Sequence, residues 1–228
     1  MIYPSVREGV FLARPNRFIA QVELGGKTEI CHVKNTGRCK ELLIPGAEVF
    51  LSEADKPGRS TKYDLVAVRK AERLINMDSQ APNKVFLEHL RSGRYMQEVD
   101  HIKPEAKYGG SRFDFYVEAG ERKVFIEVKG VTLEEGGVAL FPDAPTLRGV
   151  KHLNELAGCV REGYEAHVVF VIQMAGALYF APNDATHPAF GEALAAAMAS
   201  GVKATALDCF VAPDRLEIKG SVPVHIRR

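Results

Sequence analysis

Tryptophan is missing from the 228 residues, and cysteine occurs only four times. Without tryptophan, a carbohydrate site that stacks sugar rings on large aromatic faces ranks last among the functions to consider. Cys31, Cys39, Cys159 and Cys209 show no C-x-x-C spacing, which argues against a zinc or disulfide framework and for reduced, structural thiols. Excess charge is missing too. The formal net charge is +1, so bulk electrostatics does not drive binding to a polyanion and any nucleic-acid contact needs a local patch. No run is long and charge-free enough to span a bilayer, and MIYPSVREGVFLARPN has no continuous apolar leader segment. A cytoplasmic protein with no membrane partner is expected. P-loop, G-x-S-x-G and Rossmann fingerprints, repeats and low-complexity tracts are also absent. What is present is 46% hydrophobic residues, enough for an ordinary core in one large or two small domains.

The informative stretch is SRFDFYVEAGERKVFIEVKG, residues 111–130. Its two halves alternate as strands do: Phe113, Phe115 and Val117 against Arg112, Asp114 and Tyr116, then Val124, Ile126 and Val128 against Phe125, Glu127 and Lys129. A hairpin about Ala119–Gly120 brings Asp114 opposite the neighbourhood of Phe125 to Glu127, so two carboxylates and a lysine share one surface. Carboxylates held this close repel unless a cation separates them, and hard oxygen ligands suit Mg2+ or Mn2+. Lys129 would then hold an attacking water or stabilise charge on a phosphate. The alternative for the same residues is a solvated face with a cross-strand salt bridge.

Asp followed about one hairpin later by Glu-x-Lys resembles the active-site signature of the PD-(D/E)XK nucleases. NTG at 35–37, PG at 45–46, SRFDF at 111–115, EVKGVTL at 127–133, FPDAPT at 141–146 and RGVKHLNEL at 148–156 occur together and in this order. Over essentially the whole chain this looks like the SfsA family, the sugar fermentation stimulation proteins. The resemblance implies an OB-like N-terminal domain, a PD-(D/E)XK nuclease-like second domain, and a role in sugar, notably maltose, metabolism through non-specific DNA binding. It also implies Asp114, Glu127 and Lys129 as catalytic residues, Glu88 as an extra metal acid, and Arg148, Lys151 and His152 as auxiliary residues.

Residues 1–80 read as about five short strands, GVFLAR, RFIAQVEL, TEICHVK, AEVFLSEA and YDLVAVRKAERLI, punctuated by glycine and proline. An OB-fold-like barrel is the leading architecture. Such barrels bind single strands with cations and aromatics. Candidates are Arg14 and Arg17 beside Phe18, then His32, Lys34, Asn35, Arg38 and Lys40 in a stretch without acids, and Arg59 and Lys62 beside Tyr63. The NTG turn serves equally well as a structural device.

Residues 81–228 form the second domain, an α/β (α+β) unit in the order αβββαβ with a mixed central sheet. Asn83 is expected to cap a helix through KVFLEHLRSG, carrying Glu88. MQEVDHIKPEAKYGG reads as extended and irregular, with Glu105, Lys107 and Tyr108 bordering the hairpin. VALF supplies the third strand. Asp143 or Thr146 caps LRGVKHLNELAGCVREG, whose apolar face is Val150, Leu153, Leu156, Ala157 and Val160 and whose flank groups Arg148, Lys151, His152 and Glu155. The start of that helix is suited to phosphate. EAHVVFVIQM is a central strand covered on both faces. Two functions follow: a DNA-binding protein linked to sugar metabolism, and a metal-dependent nuclease acting on DNA or RNA. The sequence carries no signal of oligomeric state.

Overall fold

A computed structural model describes residues 1–35, 37–54 and 58–226; Thr36 of the NTG turn and Pro57 lie outside the described residues. In the first unit β1 (Val6–Asn16), β2 (Ile19–Leu24) and β3 (Lys27–Val33) form an antiparallel meander. β4 (Glu48–Glu53) pairs with β1 and with β5 (Tyr63–Lys70), and a parallel contact between β3 and β5 shuts the ring. That closure is the OB-like barrel, and its interior is filled by alternate residues such as Phe11, Val22, Cys31, Leu51 and Leu65, each at most 1% exposed. The run YDLVAVRKAERLI is two strands, not one. It folds back at Ala71, which adopts a φ of 51°, and continues as β6 (Arg73–Asn76). No glycine or proline marks that turn, which is why the pattern hides it.

The second unit opens with α1 (Ala81–Arg91), then β7 (Val99–Tyr108), β8 (Ser111–Ala119) and β9 (Arg122–Val131). β10 (Leu133–Glu135) and β11 (Val138–Phe141) precede α2 (Leu147–Arg161), which is followed by β12 (Glu165–Ile172), β13 (Tyr179–Pro182), α3 (Pro188–Ala199), β14 (Lys203–Ala212) and β15 (Arg215–Val222). The main sheet runs β15-β14-β12-β9-β8-β7, with β12 parallel to both neighbours and the other pairs antiparallel. The order αβββαβ is therefore α1, β7, β8, β9, α2, β12. Its first strand is the segment read as irregular, which the exposure of most β7 side chains disguised. VALF is outside this sheet: β11 pairs with β10 and β13 in a separate three-stranded one. Phe86 of α1 packs on Phe115 on one face of the main sheet, and α2 and α3 cover the other around Phe170, Phe180 and Phe190.

Two helix starts differ in how they are made. α1 begins two residues earlier than Asn83, at a turn in which Pro82 takes the position where a missing N–H costs nothing. Asn83 is inside the first turn and its side chain is free for other work. α2 is capped by Thr146, whose hydroxyl accepts from the Gly149 N–H at 3.0 Å; Asp143 is not the cap.

A buried polar knot fastens the two units. Gln173, at the end of β12, donates from Nε2 to the backbone oxygen and the side-chain oxygen of Asn76 and to the backbone oxygen of Asp78, at 3.1, 2.9 and 3.0 Å. Its backbone N–H donates to Val131 of β9, and its carbonyl accepts from the Asn76 N–H. Fully buried Asp78 accepts from Lys34 Nζ at 2.7 Å and from the Tyr3 hydroxyl at 3.3 Å. Gly130 of β9 lies against this knot: a Cβ there would stand 2.6 Å from Gln173 Oε1 and 2.7 Å from Pro82 Cγ, so only glycine lets the strand pass. Replacing Gln173 by Ala removes three bonds at buried acceptors, of which Asn76 Oδ1 keeps the Asp78 N–H and the Asp78 carbonyl keeps the Ala81 N–H, and is expected to cost about 1–3 kcal/mol of unfolding free energy. Urea denaturation of Gln173→Ala against the parent protein checks this; an unchanged midpoint would show that water replaces the amide without loss.

Candidate active site

β8 and β9 pair with Phe115 opposite Ile126, so the next residues outward are Asp114 and Glu127. On the other side of β8, Pro104 pairs with Phe115 and Ala106 with Phe113, placing Glu105 beside Asp114. Glu105 adopts a φ of 54°, a left-handed conformation that a non-glycine residue takes only under constraint. Across this point the alternation slips. Phe115 packs against Phe86 of α1, whereas Phe113, two residues away, packs with Phe125 and the ring of His152 on the α2 side. The expectation that Phe113 and Phe115 share one greasy face is thus corrected. The kink leaves Asp114 at a gap in the sheet where it meets groups from both sides.

Each carboxylate is held differently. Asp114 Oδ1 accepts from Asn83 Nδ2, and Oδ2 accepts from the Val128 N–H, both at 2.7 Å. Glu127 Oε1 takes Lys129 Nζ at 2.6 Å and also meets Nδ1 of His152. Burial and then the charge of Glu127 raise the Asp114 carboxyl to about 6, against the pull of the Val128 N–H, Asn83 and Lys129. Burial pushes Glu127 up as well, but His152 and Lys129 outweigh it and hold that carboxyl below the usual range. Glu127 Oε2 is buried with no partner. An unpaired carboxylate oxygen out of water is costly, and beside a second carboxylate it is a place for a positive ion. No cluster of three or more His, Cys, Asp or Glu side chains suited to a metal occurs among the described residues.

His152 is not part of the surface flank of α2. It is 3% exposed and faces Glu127, while Arg148 Nε donates to its Nε2 at 3.4 Å. Arg148 and Lys151 stay exposed, and with Lys107, Gly109, Gly110 and Arg112 they line a groove of about 480 Å³ that reaches His152. Glu88 is not brought to this site. Five residues after Asn83, it lies on another side of α1, and its carboxylate binds the Met1 amino group at 2.7 Å. Glu105 also stays outside, paired with Arg112 at 3.0 Å.

Several barrel cations are spent on the fold. Arg14 donates to the carbonyls of Gly37, Arg38, Arg17 and Asn35, stapling two loops rather than offering its guanidinium. Lys34 is held by buried Asp78, and Asn35 bridges Met77 O and the Gly37 N–H. His32 and Arg59 both bind Asp64. Arg17, which lies 5.5 Å over the Phe18 ring, Arg38 and Lys40 remain exposed. Asn83 is the site residue that sequence reasoning missed; Pro82 was the available signal, because it puts Asn83 within the helix and not at its cap.

Residues 80–215 match the family described as the sugar fermentation stimulation protein RE domain, and residues 12–77 match the SfsA N-terminal OB domain. A sugar fermentation stimulation protein homolog of Desulfitobacterium hafniense (strain Y51) is 65% identical over 226 residues, 99% of each chain. The homolog of Clostridium beijerinckii is 56% identical over 98% of this chain and 99% of its own. Among solved structures, Pyrococcus furiosus SfsA in complex with Ca2+ superposes with a TM-score of 0.90 at 29% identity, covering 99% of this chain and 98% of that one.

The raised carboxyl of Asp114 has a stability consequence with a definite sign. Its folded value, about 6, is above the unfolded value of 3.8, so its contribution is most favourable below the latter and is lost as pH rises through the former. In buffer free of divalent ions, the stability of Asp114→Asn relative to the parent is expected to be about 2–3 kcal/mol greater at pH 7.5 than at pH 3.5. Thermal denaturation of both proteins at the two pH values checks it, and a difference independent of pH would remove burial of the charge as the cause.

Proposed function

The chain belongs to the SfsA family of sugar fermentation stimulation proteins, and on that premise we propose that it binds DNA and carries a divalent-metal site built for phosphodiester hydrolysis. The observation that carries this reading is the pairing of half-buried Asp114 with buried Glu127, with Lys129 on the strand of Glu127 and one Glu127 oxygen unpartnered. The donor set fits a hard ion. Magnesium keeps several waters and takes one or two carboxylates, so a two-carboxylate site suits Mg2+ or Mn2+. The Ca2+ complex of the Pyrococcus relative supports the same class of ion.

When bound, such an ion supplies Lewis-acid stabilisation of charge on the scissile phosphate. The protein's own groups do the rest. Asn83 and the Val128 N–H fix the Asp114 carboxylate, and His152 fixes that of Glu127. Lys129, only 15% exposed, holds its ammonium at the carboxylates, where it can orient an attacking water or meet charge growing on phosphate oxygens. Arg148 and Lys151 offer charge to the phosphates on either side. Arg17 with Phe18, Arg38 and Lys40 extend the contact onto the barrel, combining backbone cations with an exposed ring.

A second reading is a DNA-binding protein acting in sugar metabolism without turnover. What favours it is that Lys129 already balances the charge of Glu127 and His152 meets the same oxygen, so the site is tolerable without an ion. One pair of measurements separates the two. Single- and double-stranded DNA and RNA are incubated with Mg2+ or Mn2+, while binding is followed against salt concentration. Cleavage that falls about 10²- to 10³-fold in Lys129→Met, and disappears in Glu127→Gln, is the expected result. Salt-dependent binding with no cleavage of any substrate would leave the second reading. Calorimetry with Mn2+ is expected to give a binding isotherm that Asp114→Ala abolishes; equal affinity in that variant would sink the metal site.

A further inference from the structure

The α2 side of the main sheet is not covered evenly. α2 ends at Arg161, and Gly163, at a φ of 89°, turns the chain back so that Tyr164 closes the helix through a bond from its N–H to the Cys159 carbonyl. Among the described residues no further helix covers the part of edge strand β7 and of β8 around Lys103 and Tyr116. A second groove, of about 540 Å³, opens there. Its floor is aromatic: Tyr116 and Tyr164 each lie 5.1 Å from the Phe125 ring, centroid to centroid. Its rim is Lys103 and Lys107, both exposed, and no carboxylate pairs with either among the described residues. Glu118 accepts from the Tyr116 hydroxyl at 3.0 Å and stands beside the rings. Lys107 also lines the groove that leads to His152, so one lysine borders both depressions.

Rings that are partly exposed beside unpaired lysines are the two ingredients that single-stranded nucleic acid selects, one for a base face and one for a phosphate. The left-handed conformation of Glu105 shapes β7 beside the groove. It puts Lys103 and Ala106 on the same side of β7, where strict alternation would oppose them. We propose that this groove is a nucleotide subsite for a single strand that runs from the carboxylate site, with a base on Tyr116 and Tyr164, phosphates on Lys103 and Lys107, and Glu118 placed to accept from a base amino group. The subsite rests on the nucleic-acid reading of the carboxylate site, and it adds a preference that the site alone does not give: an unpaired strand over a duplex, whose bases cannot reach the rings.

The test uses DNA strands of about 12 nucleotides, within the span such surfaces cover, each carrying 2-aminopurine at one position. Against the full protein, fluorescence should be quenched at one position, where the base stacks, and not along the whole strand. Tyr164→Leu, which keeps packing volume, and Tyr116→Leu should each abolish that quench. The Lys103→Ala/Lys107→Ala double variant should bind the strand about tenfold more weakly and lower the salt slope by roughly two. Strands of about 4 nucleotides, too short to span both grooves, should lose less affinity from Lys103→Ala, a residue of the second groove alone, than the longer strands do. If the variants keep the position-specific quench and full affinity while Arg148→Ala weakens binding, the subsite is wrong and the carboxylate-site reading stands. If the parent protein binds no strand of either length, both fall together.

Discussion

Two carboxylates withdrawn from water on neighbouring strands repel each other, and much of the second unit is arranged around that constraint. Asn83 arrives from α1, the Val128 N–H from β9, Lys129 from the same strand and His152 from α2, each meeting one carboxylate oxygen. Three structural elements therefore converge on two side chains. Hydrophobic packing alone does not require this. Burying paired leucines at the same two positions would hold the strands as well or better, since charge burial costs more than it returns unless every polar atom is satisfied. One oxygen is left unsatisfied, so packing and stability alone do not account for the arrangement.

The neighbourhood of that pair explains why the sheet is irregular where it is. A regular strand would send Asp114 fully to one face. The left-handed residue Glu105 on the adjacent strand shifts the twist, so that Phe113 and Phe115 fall on opposite sides and Asp114 is left between them. The same irregularity shapes the groove along β7. Local conformational strain is thus located next to the functional side chains and is absorbed by the well-packed strands on either side.

What could be read from the chain beforehand follows the range of the interactions. Alternation and turn residues gave the barrel strands, the hairpin and the central strand, because those depend on local pattern and on burial of one face. The β7 strand was missed because its side chains are mostly exposed, and VALF was misassigned because pairing partners are not encoded in a four-residue run. Asp114, Glu127 and Lys129 were legible because charge interrupts apolar strands. Roles that depend on long-range partners were not: Arg14 and Lys34 look like any exposed cations until the loop carbonyls and Asp78 are seen beside them, and His152 joins the cations of its helix until Glu127 claims it.

The knot around Gln173 has a further consequence. A barrel and a nuclease-like sheet are ordinarily thought of as interchangeable modules, joined by a tether and free to be recombined. Here the tether is itself interior, since Asn76 and Asp78 are sequestered and bonded to Gln173, the residue that follows the central strand. Cutting it would expose a vacancy in each half. The two architectures are therefore expected to unfold together, because neither can part from the other without breaking bonds inside both.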